Sequence, residues 1–218
     1  MFINAKRREV NVKIVYYGPG LAGKTTNLQY IHGHTNPRMR SDLISLKTRG
    51  ERTLFFDFLQ LELGEVKGLK PRFSLYTVPG QTYYAASRKL VLQGVDGVVL
   101  VLDSRRDRLA DNRRSTAALE RDLKQMHRQL EDFPLVLQCN KQDMPNALAP
   151  EVLKAQLGWN GTPCFASVAT LGLGVLDTLK AIIHQVMYRL EQASQGGGGV
   201  DGSARQFAGD EPGQPHLH

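Results

Sequence analysis

Gly18-Pro19-Gly20-Leu21-Ala22-Gly23-Lys24-Thr25 decides how this chain folds. It stands between the apolar run 12–17 and a stretch that reads as the start of a helix. Glycines at both ends let the backbone curl around a polyphosphate and turn its N–H groups inward, where they and the positive end of the following helix meet negative charge. In such a loop Lys24 reaches the β- and γ-phosphates and the Thr25 hydroxyl ligates Mg²⁺. Gly18, Gly20, Leu21, Ala22, Gly23 and Thr26 complete the candidate contacts to the nucleotide. An ordinary strand-to-helix turn is the competing reading, and the strand before and helix after the loop argue against it.

Working outward, residues 98–102 and 135–137 are short continuous apolar runs, the pattern of parallel strands covered by helices on both faces. Between them Leu109, Leu119, Leu123, Met126 and Leu130 recur at mostly helical intervals and predict an amphipathic helix. Val175, Leu179, Ile182, Ile183, Val186, Met187 and Leu190 predict the last core helix. Residues 53–63 and 72–78 are consecutive strand-like runs joined by residues 64–70. They predict an antiparallel hairpin within a parallel sheet, with the first strand at its edge.

The whole chain has 218 residues, 41% of them hydrophobic, which suits one domain with one sizeable core. No stretch reaches the roughly 18 consecutive apolar residues that span a bilayer, and the first residues lack a secretory apolar segment, so a cytoplasmic location is expected. Cys139 and Cys164 end apolar runs without metal-ligand spacing and read as buried thiols. The net charge of +7 is compatible with nucleic acid or an anionic membrane surface. Many of the basic residues, from Arg105 to Arg128, interleave with acids along one predicted helix. That pattern favours a solvated face of mixed charge, so no nucleic-acid partner is expected. After Ser194 the composition turns to Gly196-Gly197-Gly198-Gly199 and polar residues. Residues 1–194 therefore form the expected domain, and 195–218 an expected disordered tail.

Asn140-Lys141-Gln142-Asp143 follows the strand that ends at Cys139 and selects the base. A carboxylate at Asp143 accepts hydrogen bonds from the N1–H and N2–H₂ of guanine, which adenine does not present in that arrangement. Lys141 can lie along base and ribose, and Asn140 can tie this loop to the phosphate loop. Such a site discriminates strongly, because the wrong base leaves buried polar groups unsatisfied. Val168, Ala169 and Thr170 follow a further strand-like run, and the Ala169 N–H is expected to face the guanine O6.

In this order of motifs the chain resembles the Ras-like small GTPases over about residues 10–192. Within them it resembles the MglA family of bacterial cell polarity and gliding motility. The stretches that carry the family likeness are 13–21, 23–30, 52–59, 75–81 and 94–98. The resemblance implies an α/β fold: a Ras-like P-loop GTPase domain with a mixed, mostly parallel sheet, one antiparallel edge strand and helices on both faces. It implies a GTPase that is slow without an activating partner, with GTP or GDP bound together with Mg²⁺. Gln81, after Pro79-Gly80, matches the glutamine that orients the attacking water, and Thr53 resembles the threonine that joins Thr25 on Mg²⁺. Arg52 stands where the family carries an internal arginine finger, worth roughly 10³ to 10⁵ in rate. The resemblance further implies a register change in the strand near Thr53 on GTP binding, an MglB-like Roadblock-fold dimer as activator, and recruitment to a cell pole. Transient association with a membrane surface and an unnamed effector are also compatible with it. Leu54, Phe56, Tyr83 and Tyr84 are candidate docking residues, with core packing as the alternative for each.

One position departs from the usual small-GTPase pattern. Thr77 stands where a carboxylate normally holds a Mg²⁺-bound water, and a hydroxyl is the poorer anchor. A scaffold that binds GTP but hardly hydrolyses it is the reading this substitution would favour.

Overall fold

The computed structural model describes residues 2–4, 9–47, 55–65, 69–80, 85–128 and 133–195. The described strands are β1 (Phe2–Asn4), β2 (Glu9–Tyr17), β3 (Ile44–Lys47), β4 (Phe55–Glu62), β5 (Lys70–Thr77), β6 (Gly97–Asp103), β7 (Leu135–Asn140) and β8 (Cys164–Ala166). The described α-helices are α1 (Lys24–His34), α2 (Ala85–Leu92), α3 (Leu109–Gln125), α4 (Pro150–Gln156) and α5 (Val175–Gln195). The strands form one sheet in the order β3-β4-β5-β2-β6-β7-β8, and β1 pairs with β2.

From β5 to β8 every neighbouring pair along this order is parallel. β6 and β7 are buried at every residue because helices cover both faces, which explains their unbroken apolar runs. One face packs Leu28 and Ile31 of α1 and Leu179, Ile182 and Val186 of α5 against Val12, Ile14 and Val99. The other packs Leu92 of α2, Leu119 and Leu123 of α3 and Leu153 of α4 against Val98, Leu100 and Leu137. Each fully buried Val or Leu contributes about 1.5–3 kcal/mol relative to exposure.

The antiparallel edge is two strands deep. β4 pairs antiparallel with β5, and β3 pairs antiparallel with β4 from outside, Ile44 opposite Phe58 and Leu46 opposite Phe56. The four-residue β3 is too short for its alternation to stand out in the sequence. Phe56 packs against the second core face, its ring 5.8 Å from that of Tyr76, so at this position core packing prevails. Leu54, Tyr83 and Tyr84 lie outside the described residues.

α3 stops at Gln125, short of the expected Leu130, which is not among the described residues. His127 takes a left-handed φ of 56°, and the Met126, His127 and Arg128 N–H groups bond back to Leu123 and Lys124 carbonyls. The Cys139 and Cys164 sulfurs lie 3.1 Å apart as free thiols on neighbouring strands. No described helix is long and apolar enough to cross a membrane. The tail from 196 onward lies outside the described residues.

Candidate nucleotide-binding site

The site lies at the carboxyl ends of β2, β6 and β7, where loops leave a parallel sheet and a ligand crevice forms. Gly18 to Gly23 carry the chain from β2 into α1. Gly23 enters the helix at φ 100°, and a Cβ there would sit 2.2 Å from the Asn140 Nδ2, so only glycine fits. Gly80 comes equally close from β5: a Cβ on it would sit 2.2 Å from the Gly20 nitrogen. Leu21 holds a left-handed φ of 66° within the loop and is 83% exposed.

Lys24 opens α1 and is buried, its ammonium donating to the Gly18 carbonyl at 2.9 Å and the Pro19 carbonyl at 2.7 Å. Burial lowers its pKa to about 7, against the raising influence of Asp57. An anion brought to this ammonium would restore its charge. α1 is itself fixed from below. Asn27 and Gln138 exchange amide hydrogen bonds at 2.8 and 2.9 Å, and Gln138 also donates to Thr178 at 3.2 Å.

Beside Lys24 the structure places a carboxylate to which the sequence reading gave no role. Asp57 of β4, only 8% exposed, accepts hydrogen bonds from Thr25 Oγ1 at 2.6 Å, Ser45 Oγ at 2.6 Å and Thr77 Oγ1 at 2.9 Å. Its backbone N–H donates to Thr77 Oγ1 at 2.8 Å. The signal was an acid inside Phe55-Phe56-Asp57-Phe58-Leu59, where a buried charge needs a partner. A hydroxyl and a carboxylate side by side are hard oxygen donors of the kind Mg²⁺ takes, one or two carboxylates being enough when phosphates supply the rest. The missing acid at Thr77 is thus matched by one on the adjacent strand.

The base side is assembled by Asn140. Its Nδ2 donates to the Ala22 carbonyl at 2.8 Å, joining the two loops as expected. Its Oδ1 accepts from Ser167 Oγ at 3.2 Å and from the Ala169 N–H at 2.9 Å. The Ala169 N–H, expected to face guanine O6, is therefore directed at Asn140, the buried acceptor next to it. Gln142 turns inward, donating to Ser104 Oγ at 2.7 Å and the Leu148 carbonyl at 3.1 Å. Asp143 is exposed and lines a cavity of about 300 Å³ together with Leu21, Gly23, Thr26, Lys141 and the Val168–Thr170 loop. Thus Asn140, Lys141 and Asp143 line one cavity with Gly23 and Thr26, and Asn140 ties it to the loop that leads into Lys24 and Thr25. Arg52, Thr53 and Gln81 lie outside the described residues.

A glycine-rich loop leading into a helix, a buried lysine beneath it and Asn140 to Asp143 beside it, on one doubly covered sheet, fit a small GTPase. The chain matches the model of the ADP-ribosylation factor family over residues 1–186 and belongs to that family, a GTP-binding and GTP-hydrolysing switch. It is 52% identical over 191 residues to the mutual gliding-motility protein MglA of Myxococcus xanthus (strain DK1622), covering 88% of this chain and 98% of that protein. It is 28% identical over 171 residues to ADP-ribosylation factor-like protein 1 of Saccharomyces cerevisiae (strain ATCC 204508 / S288c), covering 70% of this chain and 90% of that one.

Proposed function

We propose that this GTPase is a switch for cell polarity and gliding motility, cycling between GTP- and GDP-bound forms that retain different partners. The likeness to MglA supports the biological role. The observation that carries the chemical part is Asp57 against Thr25, beside the buried Lys24 at the start of α1.

In this reading Gly18–Thr26 hold the phosphates, Lys24 meets the β- and γ-phosphates, and Asn140, Lys141, Asp143 and the Val168–Thr170 loop hold guanosine. Thr25 and Thr53 would hold Mg²⁺, with Asp57 the acid beside Thr25. Mg²⁺ bound there would supply charge neutralisation for the phosphates. Gln81, led in by Gly80, orients the attacking water, and Arg52 stabilises the transferring group from within the chain. Asp57 also weakens the case for a non-hydrolysing scaffold, which rested on Thr77. The activator is an MglB-like Roadblock-fold dimer, and the active form acts at a cell pole from the cytoplasm.

Single-turnover phosphate release, with and without an MglB-like dimer, tests this. The wild type is expected to be slow alone and strongly stimulated by the dimer. Arg52→Ala is expected to keep GTP binding and lose most of the stimulation. Equal turnover in all arms would remove both the dimer and Arg52 from the mechanism.

A further inference from the structure

Asp103 ends β6 with no exposure to solvent, and the site as described so far makes no use of it. Its carboxylate gathers cations. Lys141 Nζ lies 2.7 Å from Oδ2, while Arg105 grips both oxygens, Nε at 3.0 Å and Nη2 at 2.9 Å. Arg108 Nε stands 3.9 Å off, and the same guanidinium donates to the Gly20 carbonyl of the phosphate loop at 3.1 Å. The backbone of Asp103 is pinned in turn: its N–H donates to Asn112 Oδ1 at 3.1 Å and its carbonyl accepts from Asn112 Nδ2 at 2.8 Å. Burial would raise the pKa of this acid, but the Arg105 and Lys141 hydrogen bonds hold it below the ordinary carboxylate value.

The register explains the meeting. Asp103 lies opposite Asn140 across β6 and β7, and Lys141 leaves the strand end with a left-handed φ of 68°, its ammonium on the acid. A lysine side chain is otherwise long and freely rotating, and ordering it at the moment of binding would cost affinity. Lys141 and Arg105 both line the base-side cavity. We propose that Asp103 is a positioning residue for nucleoside binding: it clamps the Lys141 ammonium so that the lysine stem forms a fixed wall for guanine and ribose, with Arg105 held beside it.

The proposal rests on reading residues 140–143 as the guanine loop, and a double-mutant cycle separates the two. GDP affinity and dissociation are measured for Asp103→Asn, Lys141→Met, their double variant and Lys141→Ala. Asp103→Asn is expected to weaken GDP about tenfold through faster dissociation, at the lower end of what buried orienting partners contribute to binding groups. In the Lys141→Met background the same change is expected to add less than about twofold, because residues that act through one another are not additive. The ratio of GDP to IDP affinity stays unchanged, since Asp143 reads the 2-amino group. Additive losses, or an Asp103→Asn protein that binds like wild type while Lys141→Met does not, would overturn the proposal. If Asp103→Asn does not fold, the methionine and alanine variants still decide. Lys141→Met should lose most of what Lys141→Ala loses, and wild-type binding by Lys141→Met alone means that the clamp is idle. Wild-type binding by both would instead sink the guanine-loop reading.

Discussion

β6 and β7 on one side of the phosphate loop, and β3 and β4 on the other, are built for opposite tasks. Every residue of β6 and β7 is buried, and Asn140 at the end of β7 links the Ala22 carbonyl of the phosphate loop to the Ala169 N–H after β8. The β3 edge leaves Ile44 43% and Leu46 42% exposed, and β5 alternates buried with half-exposed residues. Yet the edge reaches the start of α1, because Asp57 on β4 touches Thr25 as well as Thr77. In the proposed cycle a fully buried half would recognise the nucleotide and a thinly covered half would report on it. An edge with one weakly buried face has the looser specification of register that a moving strand needs.

The strongest test of the rigid half is Lys24→Met. It removes the ammonium proposed to meet the phosphates and is expected to lower GTP affinity by more than about 100-fold, the order of loss when one partner of a buried charge pair is truncated. The same lysine sets a pH signature. Its pKa of about 7 in this fold, against 10.5 for an ordinary lysine, means that the unfolded chain binds more protons between those values. This group's contribution to stability therefore rises with pH across that window and is lost as the pH falls towards 7. Phosphates raise the Lys24 pKa again, so GDP binding near pH 8.5 is expected to take up a proton. Calorimetry in buffers of different ionisation enthalpy measures the uptake, and Lys24→Met should abolish it.

Next in size is Asp57→Asn, which tests whether the edge feeds the site. Nucleotide retention in Mg²⁺ is expected to fall by about 10- to 100-fold, as for other orienting partners of metal sites, with little change in EDTA. A loss of equal size in both conditions would make Asp57 a structural residue only. Smaller again is the contrast in stability. Leu100→Ala in β6 is expected to cost about 2–5 kcal/mol in denaturant unfolding, and Leu46→Ala in β3 less than about 0.5 kcal/mol. Comparable costs would erase the distinction between the halves.

How much of this was legible follows from what each part depends on. The phosphate loop and Asn140 to Asp143 stand out because polyphosphate and guanine dictate residue types at fixed local spacing. The doubly covered strands show as apolar runs, and α3 and α5 as helical repeats. β3 escaped because a four-residue strand carries almost no pattern and owes its place to pairing with β4. Asp57 escaped as a site residue because its partners Thr25 and Thr77 are joined to it only by the fold, and Asp103 with Lys141 for the same reason. The Ala169 N–H is expected at the base from its place after a strand-like run, whereas Asn140 Oδ1 meets it only through the fold.

The central claim is that nucleotide exchange moves the thin edge and leaves the recognising strands still. Hydrogen exchange on the GDP-loaded and GTP-analogue-loaded protein tests it most directly. The amides of β6 and β7 should exchange alike in both forms, and those of β3 and β4 should differ. Identical exchange at β3 and β4, or a change spread evenly over β6 and β7, would contradict the account.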